Sequence, residues 1–389
     1  MADVTVMHVI NSLDIGGTEK QLYLLLKHLD RQRFRPLVVC LSRGGFWVRP
    51  IRNLGIEVIE LERRGSYELK RLLTLVNLIR RRKPAVIHTW QSPGNLYGGL
   101  AALLMRHNRL VLSRRSIDEH RGMRGVADAV VHRRSSAVVC NSRRLADDLR
   151  GRFDGTLNCV VIYNGIESRE PLSRASGAET KASLGLPHNC EVIGTVGRLV
   201  AFKNQRLLID VACRIRRSRP DCYFVLAGDG PLRSELEDYT RVRNVSDRVV
   251  FLGFRADIPE LLSAFDLFLF PSVTDAPDGA VFGEGFPNAV MEAMMAGIPC
   301  VASTESGAAE LFGDGEAGFL IDPTDTDLAA ERILTLLDDP DLREMMSARG
   351  RAIIQERFSV EPMANRFARL YDALIDLPET LSSTTNAPT

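Results

Sequence analysis

The sequence predicts an α/β protein built from two doubly wound domains facing a cleft. Three observations carry this. The chain has 389 residues, more than a single core ordinarily serves. Short apolar runs alternate with amphipathic helical patterns, as βαβ units with parallel sheets require. That rhythm stops once, between Glu167 and about Asn189, and then begins again.

In the first half, apolar runs that read as buried parallel strands start at Val4 (VTVMHVI), Pro36 (PLVVCL), Ile56 (IEVIEL), Ala85 (AVIH), Leu110 (LVLS), Ala137 (AVVC) and Cys159 (CVVIY). Helical patterns lie between most of them, for example from Glu19 (EKQLYLLLKHL) and from Tyr67 (YELKRLLTLVNLIRRR). Residues 1–166 therefore form one domain. Residues 167–189, rich in Ser, Ala, Pro and charge, read as a linker. Strands resume at Glu191 (EVIGTV), Tyr223 (YFVLAG), Val249 (VVFLG), Leu267 (LFLF), Pro299 (PCVAS) and Gly318 (GFLI), giving a second domain over 190–358. A last helix over 359–377 returns to the first domain, and the polar tail 378–389 reads as disordered.

Composition narrows the class. Seven cysteines are scattered without C-x-x-C spacing, which suits a reducing cytosol better than a disulfide framework. The start of the chain has an acid where a signal peptide wants positive charge, and no apolar run nears the roughly 18 residues of a membrane span. A cytoplasmic protein is expected. The near-neutral total hides a division: 28 Lys and Arg against 14 Asp and Glu through Gly165, and 22 against 35 beyond it. Basic clusters at Arg80–Lys83, Arg114, Arg115, Arg121, Arg124, Arg133 and Arg134 predict either peripheral docking on an anionic membrane or attraction between the two halves.

The segment from Phe270 carries the most chemistry. A strand ends at Pro271, a Gly/Asp-rich loop follows, and Pro287 and Asn288 open a helix whose free N–H groups favour an anion. Glu284 lies in the loop, and Glu292 sits in an otherwise apolar helix. A carboxylate there wants hydrogen-bond donors, such as vicinal sugar hydroxyls, unless it lies on an exposed edge. From Gly194, a strand and a glycine turn precede Arg198 and Lys203, cations suited to a diphosphate or simply solvated. Gly16 and Gly17 follow the first strand, where backbone could approach a phosphate or merely turn tightly. Gly313–Gly318 matches G-x-G-x-x-G but precedes a strand, which argues against dinucleotide binding. Asp325 and Asp327 read as helix-capping residues, the histidines show no ligand spacing, and neither a metal nor a cofactor is expected.

With these segments in order, the chain resembles the retaining glycosyltransferases of family four, with two Rossmann-like domains (the GT-B fold). The motifs are GGTE from Gly16, VIYNG from Val161, GRLVAFKN from Gly197, LAGDGP from Leu226, FLGFRADIPELL from Phe251 and EGFPNAVMEAMMAGIPCVAS from Glu284. The resemblance covers nearly the whole chain. It implies an acceptor-binding first domain and a second domain that binds a nucleotide-diphosphate sugar, with a uridine base favoured. It implies that Glu284 lies near the donor sugar, that Glu292 holds the ribose, and that Arg198 and Lys203 grip the diphosphate beside Gly16 and Gly17. Backbone at Phe286, Pro287 and Asn288 would approach sugar and phosphate, Arg255 would lie under the base, and His120 would contact the donor sugar. Trp90, where family members often carry a histidine, would stand on the acceptor side. Ser306 and Gly307 replace a frequent double glycine.

The implied reaction is metal-independent transfer of a sugar to an acceptor hydroxyl with retention, in envelope polysaccharide or glycolipid synthesis; a covalent intermediate on Glu284 is left open. A nucleotide-sugar 2-epimerase of the same fold and a non-catalytic nucleotide-sugar-binding subunit are the alternatives. The GGTE loop, the full EGFPN motif and the intact Arg198, Lys203, Glu284 and Glu292 set weigh against both.

Overall fold

The structure is a computed structural model; it describes residues 4–61, 69–118, 122–170, 173–274 and 282–376. The chain divides into two compact units, one formed by Met1–Gly165 with Val360–Thr389, the other by Ile166–Ser359.

Unit 1 contains strands β1 (Val4–Ile10), β2 (Phe34–Cys40), β3 (Glu57–Glu60), β4 (Val86–Trp90), β5 (Leu110–Arg114), β6 (Ser116–Asp118), β7 (Ala137–Cys140) and β8 (Cys159–Val161). Seven of them form a parallel sheet in the order β3-β2-β1-β4-β5-β7-β8. Val4 of β1 stands opposite Phe34, and Val6 opposite Val86. The near-continuous apolar character of β1 follows, because a central parallel strand is covered on both faces. Helices α1 (Gly17–His28) and α2 (Val48–Asn53), with the C-terminal helix Val360–Asp376, fill one face around Leu22, Leu25, Ile51, Phe367 and Tyr371. On the other face lie α3 (Leu69–Arg82), α4 (Gly94–Leu104), α5 (Gly122–Arg133) and α6 (Arg143–Arg152), packed through Leu75, Ile79, Ala101, Val131 and Leu145. The connections change face between β1 and β4, so the topological switch point lies there, just beyond the end of β1.

Unit 2 opens with α7 (Arg174–Ser183), where the sequence predicts only a linker over 167–189. The helix lies within that stretch. The helix is short and polar, so it has no apolar stripe to announce it. It is held by specific contacts: Ser173 caps Ser176 N–H at 3.2 Å, Lys181 pairs with Asp266 at 2.9 Å, and a Cβ at Gly177 would stand 2.4 Å from the Ser263 carbonyl oxygen.

The sheet of unit 2 comprises β9 (Glu191–Val196), β10 (Cys222–Ala227), β11 (Val249–Gly253), β12 (Leu267–Phe270), β14 (Cys300–Ser303) and β15 (Gly318–Ile321), in the order β11-β10-β9-β12-β14-β15; β13 is the short strand Phe282–Glu284. Helices α8 (Gln205–Ile215), α9 (Arg233–Val242), α10 (Ile258–Leu262), α11 (Asn288–Met295), α12 (Ala309–Phe312), α13 (Thr326–Asp338) and α14 (Pro340–Arg357) connect them. The switch point falls between β9 and β12. Asp325 caps α13 by accepting from Leu328 N–H at 2.8 Å, and Asp327 pairs with Arg214 at 2.6 Å, which accounts for the D-x-D string. The tail 378–389 lies outside the described residues.

Candidate active site

The carboxyl edge of the second sheet is where its conspicuous residues gather. β9 runs into Gly197 and Arg198, and the loop after β10 presses on this turn backbone to backbone. A Cβ on Gly228, whose φ is +144°, would lie 1.9 Å from the Gly197 carbonyl oxygen, and one on Gly230 would lie 2.4 Å from that of Leu199. Only glycine allows this approach, which gives the LAGDGP segment its physical reason. Arg198 is exposed, and its carbonyl accepts from the Gln205 side-chain amide at 2.8 Å.

A single 3₁₀ turn, Ala201–Lys203, then directs Lys203 across the switch point, held by Val273 N–H donating to the Phe202 carbonyl at 2.8 Å. The Lys203 ammonium ion-pairs with the Glu284 carboxylate and lies 4.6 Å from the centre of the Phe270 ring. Both members of the pair are largely buried, with side-chain exposures of 14% and 17%. In such surroundings an ion pair is strengthened by low dielectric and each charge depends on its partner.

Glu284 leads directly into α11 through buried Gly285, Phe286 and Pro287. Phe286 anchors the turn against Phe358, ring centres 5.3 Å apart. Asn288 is the first helical residue, so the α11 amides open beside this turn, while Met291, Met294 and Met295 face the core. Glu292 is half-buried on the same helix.

The loop after β14 closes the assembly. Gly307 adopts φ +71°, and a Cβ there would stand 2.5 Å from the Gly285 carbonyl oxygen. The buried Ser306 hydroxyl donates to the Ser303 carbonyl at 2.7 Å, so serine is accommodated where a second glycine is frequent. The Glu305 carboxylate accepts from Thr274 N–H at 2.6 Å and fixes the approach to the Gly/Asp-rich loop. Glu305 and Gln205 have no signal in the sequence, since each acts on a backbone group that only the fold brings near.

Arg255 belongs elsewhere on the same edge. It follows β11, two strands from β9 and so about 10 Å away by strand spacing. There it chelates Asp257, with Nε donating at 2.8 Å, and this contact holds the Asp257 carboxyl below the usual range.

In unit 1, Gly16 and Gly17 lie at the switch point, as N-cap and first residue of α1. Gly16 has φ −167°, extended backbone that any residue adopts, so a tight turn does not require glycine there. Trp90 departs from its expected place on the acceptor side. It is completely buried, its indole N–H donating to His8 Nδ1 at 3.2 Å and its ring lying 4.7 Å from the Arg115 guanidinium. The cause is its position on β4, a central strand covered on both faces. Arg114 and Arg115 are likewise buried, and Arg124 donates to the Ser92 hydroxyl at 2.7 Å, so these three add little to a basic surface. His120 and Arg121 lie outside the described residues. Among the described residues, no three His, Cys, Asp or Glu side chains are grouped as a metal site would need.

With this geometry in place, the relatives become informative. The family model described as Glycosyltransferase Family 4 matches residues 15–170, and that of Glycosyl transferases group 1 matches 177–353. The chain is a family-four glycosyltransferase. Members of the family transfer a sugar from a nucleotide sugar to an acceptor, and this chain does the same. It is 28% identical over 325 residues to an Escherichia coli protein named UDP-Gal:alpha-D-GlcNAc-diphosphoundecaprenol alpha-1,3-galactosyltransferase, covering 78% of this chain and 79% of that one. It is also 28% identical over 317 residues to the lipopolysaccharide core biosynthesis mannosyltransferase LpsB of Rhizobium meliloti, covering 78% and 85% of the two chains. Among solved structures, Anabaena HepE in complex with UDP-glucose superposes with a TM-score of 0.82 at 26% identity, covering 95% of this chain and 99% of that one. The fold is therefore GT-B, two parallel-sheet α/β units.

Proposed function

We propose that the protein is a retaining, metal-independent hexosyltransferase that uses a UDP-sugar and glycosylates a hydroxyl of a glycan or lipid-linked acceptor in envelope polysaccharide or glycolipid synthesis. The observation that carries this reading is the Lys203–Glu284 pair, seated at the switch point directly before the first turn of α11. Lys203, the exposed Arg198 and the first turn of α11 would together take the charge of a leaving diphosphate. Glu292, further along α11, receives the ribose hydroxyls.

In this reading the anomeric C–O bond to the diphosphate breaks while the acceptor oxygen bonds to the same face of the sugar. The acceptor proton passes to the departing phosphate oxygen, and Arg198, Lys203 and the α11 amides carry the negative charge that develops there. The names of the E. coli and Anabaena relatives support a uridine donor.

A thermal-shift panel of UDP-glucose, UDP-galactose, UDP-N-acetylglucosamine and GDP-mannose tests the donor, because a ligand of the folded state raises the melting temperature with concentration. The product anomer, read by NMR, tests retention. Stabilisation by GDP-mannose alone would overturn the uridine assignment, and an inverted product would overturn the mechanism.

A further inference from the structure

Strand β2 lies beside β1, so the loops that follow the two strands are neighbours at the carboxyl edge of unit 1, next to its switch point. The loop after β2, residues 41–47, is locked onto the loop after β1. Trp47 N–H donates to the Leu13 carbonyl at 2.8 Å. Gly45 has φ +116°, and a Cβ on it would lie 2.4 Å from the Leu13 carbonyl carbon, so only glycine brings the two backbones this close. Gly44 N–H donates to Glu60 Oε2 at 2.6 Å, and Arg52 pairs with the same carboxylate at 2.8 Å.

This bracing presents an aromatic ring to water. Phe46 is 53% exposed, and a phenyl ring left in solvent adds little to folding. Behind it the Trp47 ring stands edge-on, with centres 5.1 Å apart, and Trp47 in turn lies 4.9 Å from the Tyr23 ring of α1. Ile15, on the neighbouring loop, is 52% exposed. Asp14, Arg43 and Arg49, close to these two in the chain, are exposed as well.

We propose that Phe46, with Ile15 beside it, is the platform for a pyranose ring of the acceptor glycan. The face of a phenyl ring is electronegative and the axial C–H groups of a pyranose are weakly positive, so the less polar face of the sugar stacks on Phe46. The hydroxyls at the rim of the sugar then meet charged groups such as Asp14 and Arg43. The assignment rests on the glycan acceptor proposed above and adds the residue that selects it. Unit 2 carries the groups assigned to the donor, and a second substrate needs a seat of its own. A ring already braced suits that task, because little conformational freedom is lost on binding. Two apolar side chains flanked by charge are too small a patch for a protein partner, which covers about 800 Å² on each side of a stable interface.

Saturation-transfer NMR of the full chain with octyl β-glucoside, octyl β-galactoside and octyl β-N-acetylglucosaminide, each below its micelle concentration, tests the platform. At least one glycoside should receive saturation on the ring protons of one sugar face. Phe46→Ala should weaken binding of that glycoside roughly fivefold, and Phe46→Trp should restore it. Both variants should keep the wild-type melting temperature and UDP affinity, since the ring is exposed. Equal binding by Phe46→Ala overturns the platform and leaves the glycan acceptor standing. Saturation confined to the octyl chain also overturns it and assigns Phe46 to a lipid tail. Binding of no glycoside by the wild type overturns the platform together with the proposed glycan acceptor. Because UDP affinity is read on the same samples, failure of the donor reading would register separately.

Discussion

The ammonium of Lys203 and the carboxylate of Glu284, 81 positions apart in sequence, form a largely buried ion pair across the switch point of the second sheet. Removing one partner should hurt more than removing both. Lys203→Met leaves Glu284 buried with an uncompensated charge, whereas Lys203→Met with Glu284→Gln leaves none. A double-mutant cycle on melting temperature should therefore give a coupling of about 1 to 3 kcal/mol. Additive single-site effects would show that the pair contributes nothing to the fold.

The same lysine, with Arg198, is assigned to the leaving diphosphate. Replacing either by Ala should cost about 2 to 4 kcal/mol in kcat/KM, roughly 30- to 1000-fold. Near-wild-type turnover in the Arg198→Ala, Lys203→Ala double variant would remove both from the mechanism.

In the proposed reaction these groups and the α11 amides neutralise the leaving diphosphate, and no step calls for a divalent ion. Full activity is expected in excess EDTA. Loss of turnover in chelator, restored by Mn²⁺ or Mg²⁺, would contradict that account.

Gly307 combines a left-handed φ with contact on the Gly285 backbone. A methyl group there must push the Glu284–Asn288 turn away, so Gly307→Ala should destabilise unit 2 by about 1 to 3 kcal/mol and raise the KM for the donor. Unaltered donor KM would mean that the two loops are not mechanically joined.

Acid should unfold unit 1 through two histidines. Burial pushes His8 down to about 3, and burial, His8 and Arg115 hold His88 well below its usual value. Both rings are neutral in the folded chain but take up protons near pH 6.5 once unfolded. Their contribution to stability is therefore complete above about pH 6.5 and is lost as pH falls below it, for His8 down toward 3, at about 1.4 kcal/mol per pH unit for each ring. His8→Asn, which keeps an acceptor for the Trp90 indole without titrating, should lower the slope of unfolding free energy between pH 6 and 5 by about one such increment. An unchanged slope would place the acid sensitivity elsewhere.

Strands were the most legible feature of the sequence because both sheets are parallel and covered on two faces. Runs such as EVIGTV and LFLF are strands over the same residues, Glu191–Val196 and Leu267–Phe270. The helix Arg174–Ser183 was hidden because its anchors, Lys181 to Asp266 and Gly177 against Ser263, are long-range and polar. Trp90 and Arg115 illustrate the converse. A residue at the end of a strand, or an arginine in a basic run, is expected in solvent, yet these two stack on each other in the core. In the site, Arg198, Lys203, Glu284 and the α11 turn could be singled out from local pattern. Their closure by Gly307, Glu305 and Gln205 could not, because those contacts are made to backbone atoms.

The return of the C-terminal helix gives the chain an order of assembly. Phe367 and Tyr371 are fully buried in unit 1, His88 Nδ1 and the Tyr371 hydroxyl lie 2.7 Å apart, and Asp372 pairs with Arg33 at 2.8 Å. Gly165, where the chain leaves unit 1, is clamped by both ends of the Gln21 amide at 2.9 Å. On the ribosome, unit 1 is therefore translated first but completed last, and waits with an open apolar face while all of unit 2 emerges. A stop codon late in the message should wreck the half of the protein that was made earliest, leaving unit 2 the better folded of the two.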